Sequence, residues 1–359
     1  MILVRASIPF VCVLTIIGCR PSDPPVSRRP DVAPDVAAFE QRLERLRTQL
    51  EVPGMSAAIG KNGRVAWTKS FGFADVGAER PPTDTTTYHL ASLTKLFGAV
   101  VLLRLADSGL VSLDDSVSTF GITLPNDTGI RVRHLLSMTS GGPTPGERFA
   151  YNGDRFAQLE QVIRQASGKT FAELATLWIT TPLGMSRTAP NVDTDAFEAS
   201  GLDAGDYRRT MAKAYSSRAG VVRASTYPRH FSVSAGMIST PTDMVRFAQA
   251  LDAGTILSAR MRDLMFTPVT TSRGDSLPYA FGCFSQQHGG TRVVWAYGLW
   301  TSISSLLIHV PERGLTFVIL ANADRLSADY RLGSGALLDS PVAQEFLNSF
   351  VFNPSVSLP

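Results

Sequence analysis

The sequence predicts an α+β protein, an α/β sandwich in which an antiparallel sheet is flanked by N- and C-terminal helices beside an all-helical subdomain. Three observations predict this. Strand-like runs lie at both ends of the domain, at 55–60 and 64–70 and again at 279–286, 291–297, 302–310 and 314–321. Helical runs broken by Gly and Pro fill the middle, over 130–190. A helix opens the domain and another closes it. The simplest sheet joins the early hairpin to the late strands, and the first and last helices pack on it.

Each element has a local reason. Phe39, Leu43, Leu46 and Leu50 fall on one stripe of a helix, and Pro53-Gly54 ends it. Lys61-Asn62-Gly63 between the two early runs is a hairpin turn signal. A long apolar helix begins at Ser92, runs to Ala106 and stops at Asp107-Ser108-Gly109. Residues 190–232 read as an irregular, polar surface excursion. Pro241-Thr242-Asp243 opens a further helix, and Ser340-Pro341 caps the last one.

The N-terminus reads as an export signal over 1–18. Arg5 precedes an apolar stretch, 6–18, that is too short to span a bilayer. Ile16-Ile17-Gly18-Cys19 resembles a bacterial lipobox, so Cys19 is the expected lipidation site. A Pro-rich tether, 19–36, follows and cannot bury a core. The domain is expected over 37–352, with a tail at 353–359. Arg20 supplies no acidic inner-membrane retention cue, so attachment to the outer membrane is expected, with the domain in the periplasm.

The 359 residues carry 34 basic and 31 acidic side chains, a net charge of +3. Nothing in this balance calls for a nucleic-acid partner. The five histidines are isolated, and no HExxH or CxxC occurs, so neither a metal nor a cofactor is expected. Cys283 is alone in the expected domain, inside an apolar run, and reads as a buried structural thiol.

The chemistry concentrates at Ser92-Leu93-Thr94-Lys95. A serine hydroxyl is a weak nucleophile until a base takes its proton. A lysine three residues on shares its helix face, and burial at the positive end of a helix eases its deprotonation. Lysines occur only at 61, 69, 95, 169 and 213, and only Lys95 has a serine three before it.

Tyr88-His89-Leu90-Ala91-Ser92-Leu93-Thr94-Lys95 resembles the nucleophile motif of the serine β-lactamase and penicillin-binding-protein superfamily, in its class C β-lactamase, D-aminopeptidase and esterase branch. Four further segments match in order: 109–115, 134–142, 234–243, and the pair 311–314 and 320–322. The resemblance covers roughly 37–350 and implies a β-lactamase/transpeptidase-like fold with Ser92, Lys95 and Tyr151 as catalytic residues. Tyr151 matches the tyrosine of the Tyr-x-Asn motif, where it could exist as, or exchange protons with, a phenolate. Gly153 stands where the asparagine belongs, and Asn152 is adjacent. At the third motif, Ala296-Tyr297-Gly298 replaces Lys-Thr-Gly or His-x-Gly. The implied oxyanion hole is the backbone N–H of Ser92 and Leu299. Asn152, Gly153, Tyr297, Gly298 and Trp300 are the implied substrate contacts. Trp295, Tyr297 and Trp300 read equally as an aromatic rim to the site or as ordinary sheet packing.

The resemblance implies a serine acyl hydrolase on a small-molecule or peptide substrate, through a Ser92 acyl-enzyme at an ester, amide or lactam carbonyl; a monomer is expected. Loss of the third-motif cation favours esterase or peptidase action over efficient β-lactamase action. Two alternatives stay open: a β-lactamase or D-Ala-D-Ala carboxypeptidase, and a non-catalytic cell-envelope peptide-binding protein of the same fold.

Overall fold

Four helices and six strands frame the fold in the computed structural model, which describes residues 34–125, 129–352 and 358. The expected export signal, Cys19, the tether through residue 33 and nearly all of the tail lie outside the described residues. The helices are α1 (Pro34–Gln49), α2 (Thr94–Asp107), α3 (Pro241–Asp252) and α4 (Pro341–Leu347). The strands are β1 (Gly54–Lys61), β2 (Arg64–Gly72), β3 (Phe284–His288), β4 (Thr291–Trp300), β5 (Ile303–Val310) and β6 (Leu315–Ala321). They form one antiparallel sheet in the order β2-β1-β6-β5-β4-β3.

The expected union of early and late strands is present: β1 pairs with β6 from Met55↔Ala321 to Lys61↔Leu315. Between β1 and β2 the turn is the two residues Asn62 and Gly63, both at positive φ (49° and 79°). A two-residue hairpin loop of that twist matches the twist of its strands.

Strands β1, β5 and β6 are buried along nearly their whole length, so both faces of the sheet must be covered. On one face Phe39 of α1 packs edge-to-face on Trp67, Phe317 and Phe350, at centroid distances of 5.5, 6.1 and 4.9 Å. Phe346 of α4 stacks on Phe317 at 4.7 Å. Such ring pairs add about 0.5–1.5 kcal/mol each beyond their buried area. On the other face α3 lies close against Gly60, where a Cβ would sit 2.6 Å from Val245 Cγ1. Helix α2 is buried from Thr94 to Leu103 without interruption, as an apolar helix in the middle of a domain must be.

Two elements differ from expectation. The strand expected from 279 begins only at Phe284. Gly282, at φ 80°, turns the chain against α2, where a Cβ would stand 2.7 Å from Ala99 and 3.0 Å from the Lys95 carbonyl. The excursion over 190–232 is not irregular: it holds helices Asp195–Glu198 and Ala204–Thr210 and a ribbon of Tyr215–Arg218 with Val221–Ala224. Its order comes from a small core of its own, where Phe197 meets Tyr207 at 5.2 Å beside Val192 and Ile238.

Phe39→Ala is expected to cost about 3–5 kcal/mol in urea unfolding, because Phe39 joins both ends of the chain. The control Leu110→Ala, at a side chain 55% exposed, is expected to stay within about 0.5 kcal/mol.

Candidate active site

A strained turn carries Ser92. Tyr88–His89 pairs with Met237–Ser239, and the Leu90 N–H continues that pairing by donating to the Met237 carbonyl (2.9 Å). Ala91 then takes φ 45°, a left-handed conformation uncommon for a residue with a Cβ. Thr94 fastens the turn: its hydroxyl donates to the Ala91 carbonyl (2.7 Å) and accepts from the Met237 N–H (3.1 Å). Ser92 follows in a 3₁₀ turn that runs straight into α2. Ser92 therefore stands at the end of a helix where backbone N–H groups lack partners within the helix.

Lys95 is fully buried, and its Nζ lies 2.8 Å from Ser92 Oγ. The amine also donates to the Ser234 carbonyl at 2.8 Å. Tyr151 and Phe156 rings lie 5.3 and 5.6 Å from it. Burial pushes the Lys95 ammonium down to about 7, while the Asp154 carboxylate pulls the other way. The amine is thus poised to be neutral near physiological pH.

Tyr151 reaches the same point from the start of helix Gly153–Ala157. Burial raises its phenol well above the usual range, the neighbouring Tyr297 adds to this, and a hydrogen bond with Ser92 opposes it. The environment therefore favours the neutral phenol over the phenolate. The Tyr151 ring sits 5.7 Å from Tyr297 and stacks 6.4 Å from Phe284. Asn152 turns its side-chain oxygen to its own helix, accepting the Arg155 N–H at 3.0 Å as an N-cap. At Gly153 a Cβ would lie 3.8 Å from Lys95 Nζ, so the glycine leaves open the space directly beside the amine.

Strand β4 forms the opposite wall. Its pairing with β3 ends at Phe284↔Trp295, so Ala296–Trp300 have no strand partner on that side among the described residues. The Ser92 turn packs here instead. Gly298 permits this: a Cβ would collide with the Leu90 carbonyl and with Ser305 Oγ, which itself donates to that carbonyl at 2.8 Å. Leu299 and Trp300 are exposed just beyond, at 39% and 37%. Trp295 does not belong to the rim: it is fully buried, stacked on Phe284 at 4.1 Å, with its indole N–H donating to Gln286. Ala296 is buried and offers no polar group.

Sequence reasoning missed the role of residues 230–234. The Ser234 carbonyl that holds Lys95 is a backbone group, and no side-chain pattern announces it. A cavity of about 920 Å³ holds neither Ser92 nor Lys95 and meets this loop only at Phe231 and Ser232. No group of His, Cys, Asp and Glu among the described residues is arranged to hold a metal ion. Cys283 is buried, and its thiol is pushed far up by that burial.

The beta-lactamase family model matches residues 39–339. A penicillin-binding protein of Bacillus subtilis is 24% identical over 79% of this chain and 73% of its own length. A D-aminopeptidase of Gluconobacter oxydans is 23% identical over 80% of this chain but only 59% of its own length. Among solved structures, the octameric penicillin-binding protein homologue of Pyrococcus abyssi has a TM-score of 0.75 at 24% identity, covering 90% of this chain and 79% of that one. A D-stereospecific amidohydrolase of Streptomyces has a TM-score of 0.69 at 24% identity, covering 89% and 99%. With the fold shared and the family model spanning the domain from α1 to beyond β6, the chain belongs to the beta-lactamase family.

Proposed function

We propose that the chain is a serine acyl hydrolase that forms a Ser92 acyl-enzyme on ester or amide substrates, with a lactam as a poorer one. The buried Lys95 amine 2.8 Å from Ser92 Oγ carries this reading. Relatives named as a D-aminopeptidase and a D-stereospecific amidohydrolase support amide chemistry. The apolar Ala296 supports substrates that do not rely on a cation at that strand position.

In the proposed cycle neutral Lys95 takes the Ser92 proton as Oγ attacks the carbonyl carbon. The Ser92 and Leu299 N–H groups hold the oxyanion. The bond to the leaving nitrogen or oxygen then breaks, and the Tyr151 phenol, resupplied by the Lys95 ammonium, protonates that atom. Water attacks the acyl-enzyme, returns its proton through Lys95 and frees Ser92. Tyr297, Gly298 and Trp300 line the strand edge along which substrate lies, and Asn152 and Gly153 border the opposite side. Attachment to the outer membrane through a lipid on Cys19, with the domain in the periplasm as a monomer, belongs to the same proposal.

Intact-mass analysis with a fluorophosphonate is expected to show one adduct on the wild type and none on Ser92→Ala. No adduct on folded wild-type protein would sink the hydrolase reading. Gly298→Ala, which forces β4 away from the Ser92 turn, is expected to slow labelling by about 10²-fold. The labelling rate of the wild type is expected to rise with pH through about 7, as Lys95 loses its proton.

The same group sets a stability trend. Lys95 titrates near 7 folded and near 10.5 unfolded, so between those values the unfolded chain binds the extra proton. Stability therefore rises with pH across that window, and the burial cost is present in full below pH 7. Lys95→Met is expected to melt about 2–5 °C above wild type at pH 6, with the gap narrowing at pH 10, while labelling is lost. A variant that melts equally far above wild type at both pH values would refute this assignment of the cost.

A further inference from the structure

The third-motif position Ala296 offers no polar group, yet an imidazole from another part of the chain meets the end of β4. His230 is exposed, and its ring lies 5.2 Å from the exposed Trp300 ring at the end of β4. Its Nε2 is 3.0 Å from Ser232 Oγ, which is 3.0 Å from Ser234 Oγ and accepts the Ser234 N–H at 3.2 Å. The Ser234 carbonyl in turn holds Lys95 Nζ. The loop is seated firmly. Gly236, at φ 110°, lets the chain turn where a Cβ would strike the His230 carbonyl, and that carbonyl also accepts the Asn191 amide at 3.4 Å.

The two walls of the cleft are thus tied to the same centre. One is the strand edge that packs on Leu90 and Ala91 at Gly298; the other is the loop that anchors Lys95 at Ser234. The His230–Trp300 contact joins the loop to the end of that strand. With Nε2 on Ser232, the Nδ1 atom of His230 has no hydrogen-bond partner among the described residues. Arg229 beside it donates only to the Asp193 backbone carbonyl, and no carboxylate pairs with either side chain among the described residues. An imidazole fixed at one nitrogen, free at the other and lacking an internal anion suits a ligand carboxylate. The exposed indole beside it suits an apolar or aromatic group on the same ligand.

We propose that His230 is a specificity-determining residue that binds a substrate carboxylate against Trp300, doing from the loop what Ala296 cannot do from the strand. This rests on the hydrolase reading and refines its substrate class: esters or amides bearing a carboxylate next to an apolar or aromatic group.

The test uses two matched ester pairs, one with the charge on the leaving group and one with it on the acyl group: 3-carboxyphenyl against 3-carbamoylphenyl acetate, and the 4-nitrophenyl esters of glutaric acid against glutaramic acid. His230→Ala is expected to raise KM about tenfold for the carboxylate member of at least one pair, leaving kcat and the carboxamide partner within about twofold. His230→Lys is expected to restore the preference and His230→Gln not to. Fluorophosphonate labelling of Ser92 is read in the same samples, with the four compounds as competitors where turnover is too slow to follow. Equal losses on both members of each pair would reduce His230 to a prop for the Lys95 loop and overturn the proposal. So would no change on any compound. Preserved labelling with no loss of selectivity removes this inference alone, whereas absent labelling of folded wild type removes the hydrolase reading with it.

Discussion

The site depends on one buried amine. Lys95 sits wholly inside the protein, with Ser92 Oγ and the Ser234 carbonyl as its two polar neighbours at 2.8 Å. An ammonium in such a place is costly, and the chain meets that cost by letting the group approach neutrality. The same desolvation that burdens the fold makes the amine a usable base. Everything around it serves to keep water out: Phe156 and Tyr151 from the helical region, the 233–237 turn, and the apolar length of α2 beneath.

A second constraint is how closely backbones approach. The Ser92 turn meets β4 at Gly298, and the chain at Gly282 meets α2, each where a side chain would not fit. The contact at Gly298 brings a strand edge to the Ser92 turn without any particular side chain on the strand. That explains how the site tolerates Ala296 at a position that elsewhere in the superfamily is read as a cation or imidazole. The backbone amides of Ser92 and Leu299 do not depend on the side chain at 296 and are untouched by that change. The strain at Ala91, held by Thr94 and the pairing with Met237, belongs to the same economy of space.

Much of this was legible in the chain itself. Period-two and helical patterns located α1, the β1–β2 hairpin and the strands of the C-terminal half, because those elements bury faces with regular spacing. The Ser92–Lys95 pair was legible because i, i+3 spacing on a helix is a purely local relation. Tyr151 was recoverable from its resemblance to a known motif. The order within 190–232 was not, because its small core draws Ala189, Val192, Phe197, Tyr207 and Ile238 from scattered positions. Nor was the truncation of the 279–286 strand, which α2 imposes on Gly282.

The sequence by itself determined the fold class and most strands of the large sheet, and set Ser92 and Lys95 on one helix face, since these follow from residue type and spacing along one segment; the catalytic roles of that pair came from the resemblance to the superfamily's nucleophile motif. Only the tertiary structure decided the protonation preference of Lys95 and of Tyr151, because desolvation depends on neighbours distant in the chain. It alone placed Trp295 in the core rather than on the rim, through stacking on Phe284. It alone tied Ser234 to Lys95 and His230 to Trp300: a backbone carbonyl and a ring contact across 70 residues leave no periodic trace, only a position in space.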